Sequence, residues 1–280
     1  MTALPPFRRL GPALPASPVV VSAPHAGRDY PQALLDALRI PVAALLPLED
    51  RHVDAVAEAA RGVETLFVAQ RARAWIDLNR AEHERDPLLD DGANAKVAPT
   101  HSAKVRSGLG LVPRRIGGVD IWRRRLGADE VAARIASDHR PYHAALGAAL
   151  EAARDRFGVA VLLDLHSMPA IAGRDAARVV IGDRFGRAAA ARFVSRIEGV
   201  VRGQGLTIAA NSPYPGGHIL DRHADPARGI HGVQVELDRT LYLDAKLQDL
   251  GAGFDATVAL VRGMIDALAD EAQPLAIAAE

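Results

Sequence analysis

No cysteine occurs among the 280 residues, so disulfides and thiolate metal sites are both excluded and the core must hold by packing alone. Lysine is nearly missing too: it stands only at positions 96, 104 and 246, which leaves 31 of the 34 basic residues as arginine. Many of these serve as surface charge, but arginine is also the better bidentate carboxylate binder. Net charge is absent, with 34 basic against 34 acidic residues, and this removes the electrostatic case for nucleic acid as the main partner. No apolar run has the length of a membrane span, since the hydrophobic stretches end within about ten residues. The opening, MTALPPFRRLGPALP, sets arginines after two prolines with no apolar core, a poor signal peptide. These absences lead us to expect a cytoplasmic protein without nucleic-acid or membrane partners. The sequence is silent on oligomeric state. What is present, 49% hydrophobic and 24% charged residues, excludes collagen-like and wholly disordered chains. With no repeat and no shift in composition, we expect a single domain over residues 1–280.

The first strong strand is Pro18 to Ala23, a β-branched run halted by Pro24-His25-Ala26-Gly27. A strand that stops in a Pro/Gly loop with a polar tip often marks the active edge of an α/β sheet. Helices are expected over Gln32 to Arg39 and over Asp50 to Arg61, the latter with Asp50 as N-cap. Strands are expected at Val63 to Gln70 and Ala74 to Leu78, then at Val159 to Leu165, Arg178 to Gly182 and Gly232 to Leu237. Asp129 to Phe157 reads as helix kinked or split by Pro141; Arg187 to Gln204 and Ala252 to Asp270 also read as helices. Between Ala81 and Gly118 the pattern dissolves, and a connection this long is either disordered or functional, typically an active-site cover. Strands alternating with helices favour an α/β fold: a mainly parallel mixed sheet covered on both faces, a three-layer α/β/α domain.

The segment LLDLHSM carries a buried strand into His166, with Asp164 two residues earlier on the same strand face and able to orient the imidazole. His25, in SAPHAG, also ends a strand. Two such histidines suggest a catalytic metal, which generally takes three protein ligands and leaves a place for water. The third ligand would come from Glu49, Asp50, His52 or Asp54; a helix start with an N-cap carboxylate is the other reading of that segment. In IDLNR, Asn79 and Arg80 could hold a substrate carboxylate, the arginine through two parallel hydrogen bonds, unless Arg80 is an ordinary salt bridge. Glu236, in the apolar strand GVQVEL, is a candidate general base, because burial raises a carboxylate towards the range useful for proton transfer. NSPYPGG presents Asn211 and Tyr214, Arg174 follows His166 closely, and Arg114 is a further candidate for a carboxylate pocket. His231 is a weak candidate for the pocket wall. His83, His101, His139, His143, His218 and His223 read as surface or loop residues.

Taken in order, SAPHAG, EDRHVD, IDLNR, LLDLHSM, NSPYPGG and HGVQVEL resemble the N-formylglutamate amidohydrolase family over about Pro18 to Tyr242. The resemblance implies a zinc-carboxypeptidase-like fold, kinship with the aspartoacylase and succinylglutamate desuccinylase group, and hydrolysis of the amide bond of a small N-acyl amino acid. It implies N-formyl-L-glutamate as substrate, formate and L-glutamate as products, and histidine breakdown as the pathway. By position it places zinc, or another divalent metal, on His25 and His166. It puts the substrate carboxylate on Asn79 and Arg80, with Arg174, Asn211 and Tyr214 around it, and the base on Glu236. The relatives carry their acidic ligand three residues after the first histidine, where this chain has Arg28. Asp50 is therefore the expected third ligand, ahead of Glu49 and His52. Related deacylase, desuccinylase or carboxypeptidase activity, and a metal-dependent binding protein without catalysis, are the alternatives.

Overall fold

The computed structural model describes residues 5–93 and 103–273. The strands are β1 (Phe7–Leu10), β2 (Val19–Ala23), β3 (Thr65–Ala69), β4 (Arg115–Ile116), β5 (Val119–Asp120), β6 (Ala160–Met168), β7 (Val179–Gly182), β8 (Ile208–Ala210) and β9 (Ile230–Asp238). The helices are α1 (Gln32–Ala37), α2 (Val53–Ala60), α3 (Ala103–Arg106), α4 (Ala128–Arg134), α5 (Arg140–Phe157), α6 (Ala191–Gly203), α7 (His218–His223) and α8 (Phe254–Glu271). Seven strands form one sheet in the order β1-β3-β2-β6-β9-β7-β8, and β4 pairs with β5 apart from it. This is the expected α/β class with a mainly parallel mixed sheet. No helix among the described residues is long and apolar enough to cross a membrane.

Two compact units are distinguished: Met1–Arg8, Ala23–Arg51 and Phe67–Leu146 in the first, Arg9–Ser22, His52–Leu66 and Gly147–Glu280 in the second. The boundaries between them fall within β1, β2, β3 and α5 and between Arg51 and His52.

In the second unit β2, β6 and β9 run parallel, with Ser22 beside Asp164 and His166 beside Glu236. β7 runs antiparallel to β9, and β8 follows β7 in parallel. Side chains alternate along a strand, so Val161, Leu163 and Leu165 share one face with Val233, Val235 and Leu237. All six are buried. Leu162, Asp164 and His166 share the other face with Gly232, Gln234 and Glu236. A Cβ at Gly232 would lie 2.8 Å from Leu220 Cδ2, so glycine is what lets α7 rest directly on this face. The amphipathic reading of α6 holds, with Phe193, Ile197 and Val201 buried at helical spacing. α8 packs against β6, α2 and α6, and its Arg262 reaches Glu64 at 3.0 Å.

The first unit departs from expectation in one place and adds detail in two others. Ala74 to Leu78 forms turns and irregular backbone, not a strand. Its polar groups bond outside any ladder: Trp75 N–H to the Ala72 carbonyl at 2.8 Å and Asp77 N–H to the Leu111 carbonyl at 2.7 Å. Residues 128–157 change register at a π turn, Ile135–His139, where the Arg140 N–H bonds the Ile135 carbonyl just before Pro141. The described part of the connection after Ala81 is packed, with Leu89, Leu111 and Val112 buried and Arg114 paired to Asp86 at 2.7 Å and Asp120 at 3.1 Å. Those pairs commit Arg114 to the connection itself. His101 lies outside the described residues.

Candidate active site

At the carboxyl ends of β6 and β9, one sheet face carries a row of buried polar groups, each with a partner. Ser22 Oγ donates to Asp164 Oδ1 at 2.8 Å, Asp164 Oδ2 lies 2.9 Å from His166 Nε2, and Gln234 Nε2 donates to Glu236 Oε1 at 2.9 Å. Leaving such groups unpaired in the interior would cost a few kcal/mol each, on the order of 1–3 by mutational measures. Asp164 fixes His166 from behind, as its place two residues earlier on the same face requires. Glu236 stands one strand over in the same register step as His166. The carboxyl edge of parallel strands is where open α/β sheets bind ligands. Buried Arg239 follows immediately, its Nε donating to Ser167 Oγ at 3.1 Å. An arginine just past a strand end is ordinary sequence and gave no signal of this cation at the edge.

In the first unit, His25 leaves the end of β2 in the same manner. Its Nε2 lies 2.7 Å from Asp77 Oδ1, and its Nδ1 lies 3.6 Å from Asp50 Oδ2. The loop is held by the Asp29 N–H on the Gln70 carbonyl at 2.9 Å, and a Cβ at Gly27 would meet the Arg71 carbonyl oxygen at 2.0 Å. The Asp50 N–H donates to the His25 carbonyl at 3.0 Å, which ties the two segments together. Asp50 is not a helix cap: α2 begins at Val53, and His52 takes the capping position with φ of 59°. Glu49 is held by the Tyr30 hydroxyl and by Arg51 Nη1 at 2.9 Å, and His52 Nε2 by the Gln248 carbonyl at 3.0 Å. Of the expected third ligands, Asp50 is the one seen against His25, with Oδ2 3.6 Å from Nδ1.

Asp77 is the residue that sequence reasoning missed. It sits wholly buried between His25, Arg73 Nε at 2.9 Å and the Asn79 N–H at 2.8 Å. Burial alone would push its carboxyl up, but the charges of Arg73, His25 and Arg80 and the His25 bond hold it well below the usual carboxylate range. The signal was available by symmetry, since a second strand-end histidine needs an orienting carboxylate as much as His166 does.

Arg80 is buried, yet not as a free fork: Nε donates to the Leu109 carbonyl at 2.9 Å and Nη1 to the Asn79 carbonyl at 2.6 Å. The side-on fork through Nε is therefore occupied, and the remaining Nη1 and Nη2 hydrogens are the donors that face a ligand's carboxylate end-on. Arg174 is exposed in the loop after β6. Asn211 and Tyr214 follow β8, which runs with β7 and opposite to β9, so the chain leaves β8 heading away from Glu236, with Ala210 level with Ile181 and, through it, Val235. There Asn211 Nδ2 donates to Asp183 Oδ1 at 2.7 Å and its Oδ1 accepts from the Asp183 and Phe185 N–H groups. It is a turn-former. His231 lies at the far end of β9 from Glu236, accepting from the Ala190 N–H at 3.3 Å. His139 and His143, expected at the surface, are fully buried.

The sequence profile of the N-formylglutamate amidohydrolase family matches residues 17–243 of this chain. The chain belongs to that family. The N-formylglutamate deformylase of Pseudomonas putida is 30% identical over 233 residues, covering 81% of this chain and 82% of the relative. That of Pseudomonas aeruginosa is 27% identical over 266 residues, covering 90% and 92%. The crystal structure of the N-formylglutamate amidohydrolase from Ralstonia eutropha superposes with a TM-score of 0.88 at 32% identity, covering 96% of this chain and 99% of that one. His25 and Asp50 of the first unit and His166 of the second are all buried, and their donor types, two imidazoles and a carboxylate, are ones a metal ion takes.

Proposed function

We propose that this chain hydrolyses N-formyl-L-glutamate to formate and L-glutamate, using one divalent metal, with zinc the first choice, on His25, Asp50 and His166. The observation that carries it is the pairing of two strand-end histidines with buried carboxylates, Asp77 behind His25 and Asp164 behind His166, with Glu236 in register beside the second. Metal-bound histidines need this kind of support, which fixes tautomer and ring direction. The donor set fits zinc: two imidazoles and one carboxylate, with no thiolate in the chain. A metal held there supplies Lewis-acid polarisation of the formyl carbonyl and lowers the pKa of water.

The chain's own residues do the rest. Glu236 accepts one proton of the water whose oxygen bonds to the formyl carbon and delivers it to the amide nitrogen as the C–N bond breaks, so that formic acid and the neutral amine of glutamate are released, and the acid then loses to solvent the proton that the amine takes up. Asn79 and the Nη1 and Nη2 of Arg80 receive a substrate carboxylate, and Arg174 is the further cation for the second. The test is metal analysis with formate release from N-formylglutamate before and after chelation. We expect one metal per chain, activity lost with the metal and restored by zinc. Full activity in metal-free protein would overturn the proposal. Succinate or acetate released faster from the corresponding N-acylglutamates would move the chain to a related deacylase.

A further inference from the structure

The segment Ala72 to Arg80 carries Asp77, Asn79 and Arg80, yet it has no strand ladder to hold it. It is held by side chains of α4, the π turn and α5 instead. Arg134 Nη1 donates to the Trp75 carbonyl at 3.1 Å, and Trp75 Nε1 donates to Asp138 Oδ2 at 3.2 Å. His143 Nε2 lies 2.9 Å from the Leu78 carbonyl, and His139 Nε2 lies 2.8 Å from the Arg80 carbonyl. The two histidines therefore bracket Asn79, one carbonyl before it and one after. Their rings pack together with centroids 4.3 Å apart, and both are fully buried.

The π turn is what makes four contacts from one face possible. In an uninterrupted α-helix each residue turns about 100°, which would put His143 roughly 180° around the axis from Arg134. A π turn absorbs one extra residue, so the rotation lags progressively through Ile135–His139 and everything beyond is set back by about 100°. His139 and His143 thereby swing towards the face of Arg134.

From this we infer that His139 and His143 are positioning residues: they fix the Leu78–Arg80 backbone so that Asn79 and Arg80 present their polar groups to a substrate carboxylate. The inference rests on the substrate reading given above. Each imidazole acts as an Nε2–H donor to a carbonyl, so a glutamine, whose terminal amide also donates, is the conservative replacement and leucine the disabling one.

The experiment compares His139→Leu, His143→Leu, His139→Gln and His143→Gln in the metal-loaded full chain, reading KM and kcat for N-formylglutamate, metal content, and hydrogen–deuterium exchange of a peptide spanning Asp77 to Ala81. We expect the leucine variants to raise KM about ten- to hundredfold, the scale of a small misplacement, with kcat within about threefold and metal retained. Exchange in the peptide should rise, and glutamine should restore most of both effects. Deleting Ala136, which removes the extra residue of the π turn, should reproduce the leucine phenotype. Leucine variants that fold with wild-type KM and wild-type exchange would overturn the inference, and so would a loss that glutamine does not rescue in either variant. If the wild type fails to hydrolyse N-formylglutamate while exchange still rises with leucine and falls back with glutamine, the positioning role stands and the substrate reading falls.

Discussion

Glu236 and Gln234 stand two apart on one strand face with an amide-to-carboxylate bond between them. Glu236→Gln therefore keeps the volume and a hydrogen bond while removing the ability to take a proton. We expect kcat to fall by roughly two to four orders of magnitude with metal content unchanged. Near-normal kcat would assign proton transfer to another group. The carboxylates behind the histidines separate from the ligand itself by degree. Asp77→Asn should weaken metal binding about 10- to 100-fold, the usual effect of losing an orienting partner. Asp50→Asn should weaken it further, because an anionic ligand is lost outright. Competition with a fluorescent chelator measures both, and equal affinities for the two variants would remove Asp50 from the ligand set. Arg80→Ala is a different case: with Nε on the Leu109 carbonyl, it should lower thermal stability as well as raise KM.

At the scale of elements, the loop after β2 is set by how closely the chain passes itself. Gly27→Ala would drive a methyl group into backbone, 2.0 Å from the Arg71 carbonyl oxygen, and no side-chain rotation relieves that. We expect displacement of the His25 loop and loss of metal from a protein that keeps its secondary structure by circular dichroism; a variant that retains stoichiometric metal would show that the loop can shift without moving His25. The strands carrying His25, His166 and Glu236 were legible because each is a β-branched or leucine-rich run ending at its polar residue. Strand direction was not legible. Periodicity is blind to whether β7 runs with or against β9, and that direction turns the chain after β8, with Asn211 and Tyr214, away from Glu236. The apolar letters of Ala74 to Leu78 misled for a related reason. Trp75 is tied to Asp138 and Arg134 of the neighbouring helix segment, a tertiary partnership that local pattern does not encode. His139 and His143 escaped notice because a π turn, invisible in a 3.6-residue period, decides where they point.

For the molecule as a whole, the buried titratable groups set a pH window of stability. Burial, and after it the charge of Arg192, pushes His231 below its ordinary value of 6.5. The folded chain binds that proton less readily than the unfolded one, so this contribution is complete above pH 6.5 and is lost as pH falls through the lower folded value. Glu64 follows at more acid pH. Burial opposes its ionisation, but hydrogen bonds from Arg262 and the Gly62 N–H hold it below 4.5, so its stabilisation is present above that value and disappears beneath it. Tyr30 works in the other direction: burial, then the hydrogen bond to Glu49 and its charge, raises the phenol far above 10.0. Stability from that group is complete below pH 10 and is lost as the pH rises towards the folded value. We therefore expect a plateau in the urea midpoint of metal-free protein between about pH 6.5 and 10, with a decline on each side. His231→Asn, whose Oδ1 can accept the Ala190 N–H in place of Nδ1, should flatten the slope between about pH 6.5 and 5 and leave the alkaline limb alone. Tyr30→Phe should remove the alkaline decline that precedes general base unfolding and leave the acid limb alone. A wild-type midpoint that rises as pH drops from 6.5 to 5 would reverse the sign argued for His231, because it would require the folded state to hold that proton more tightly than the open chain.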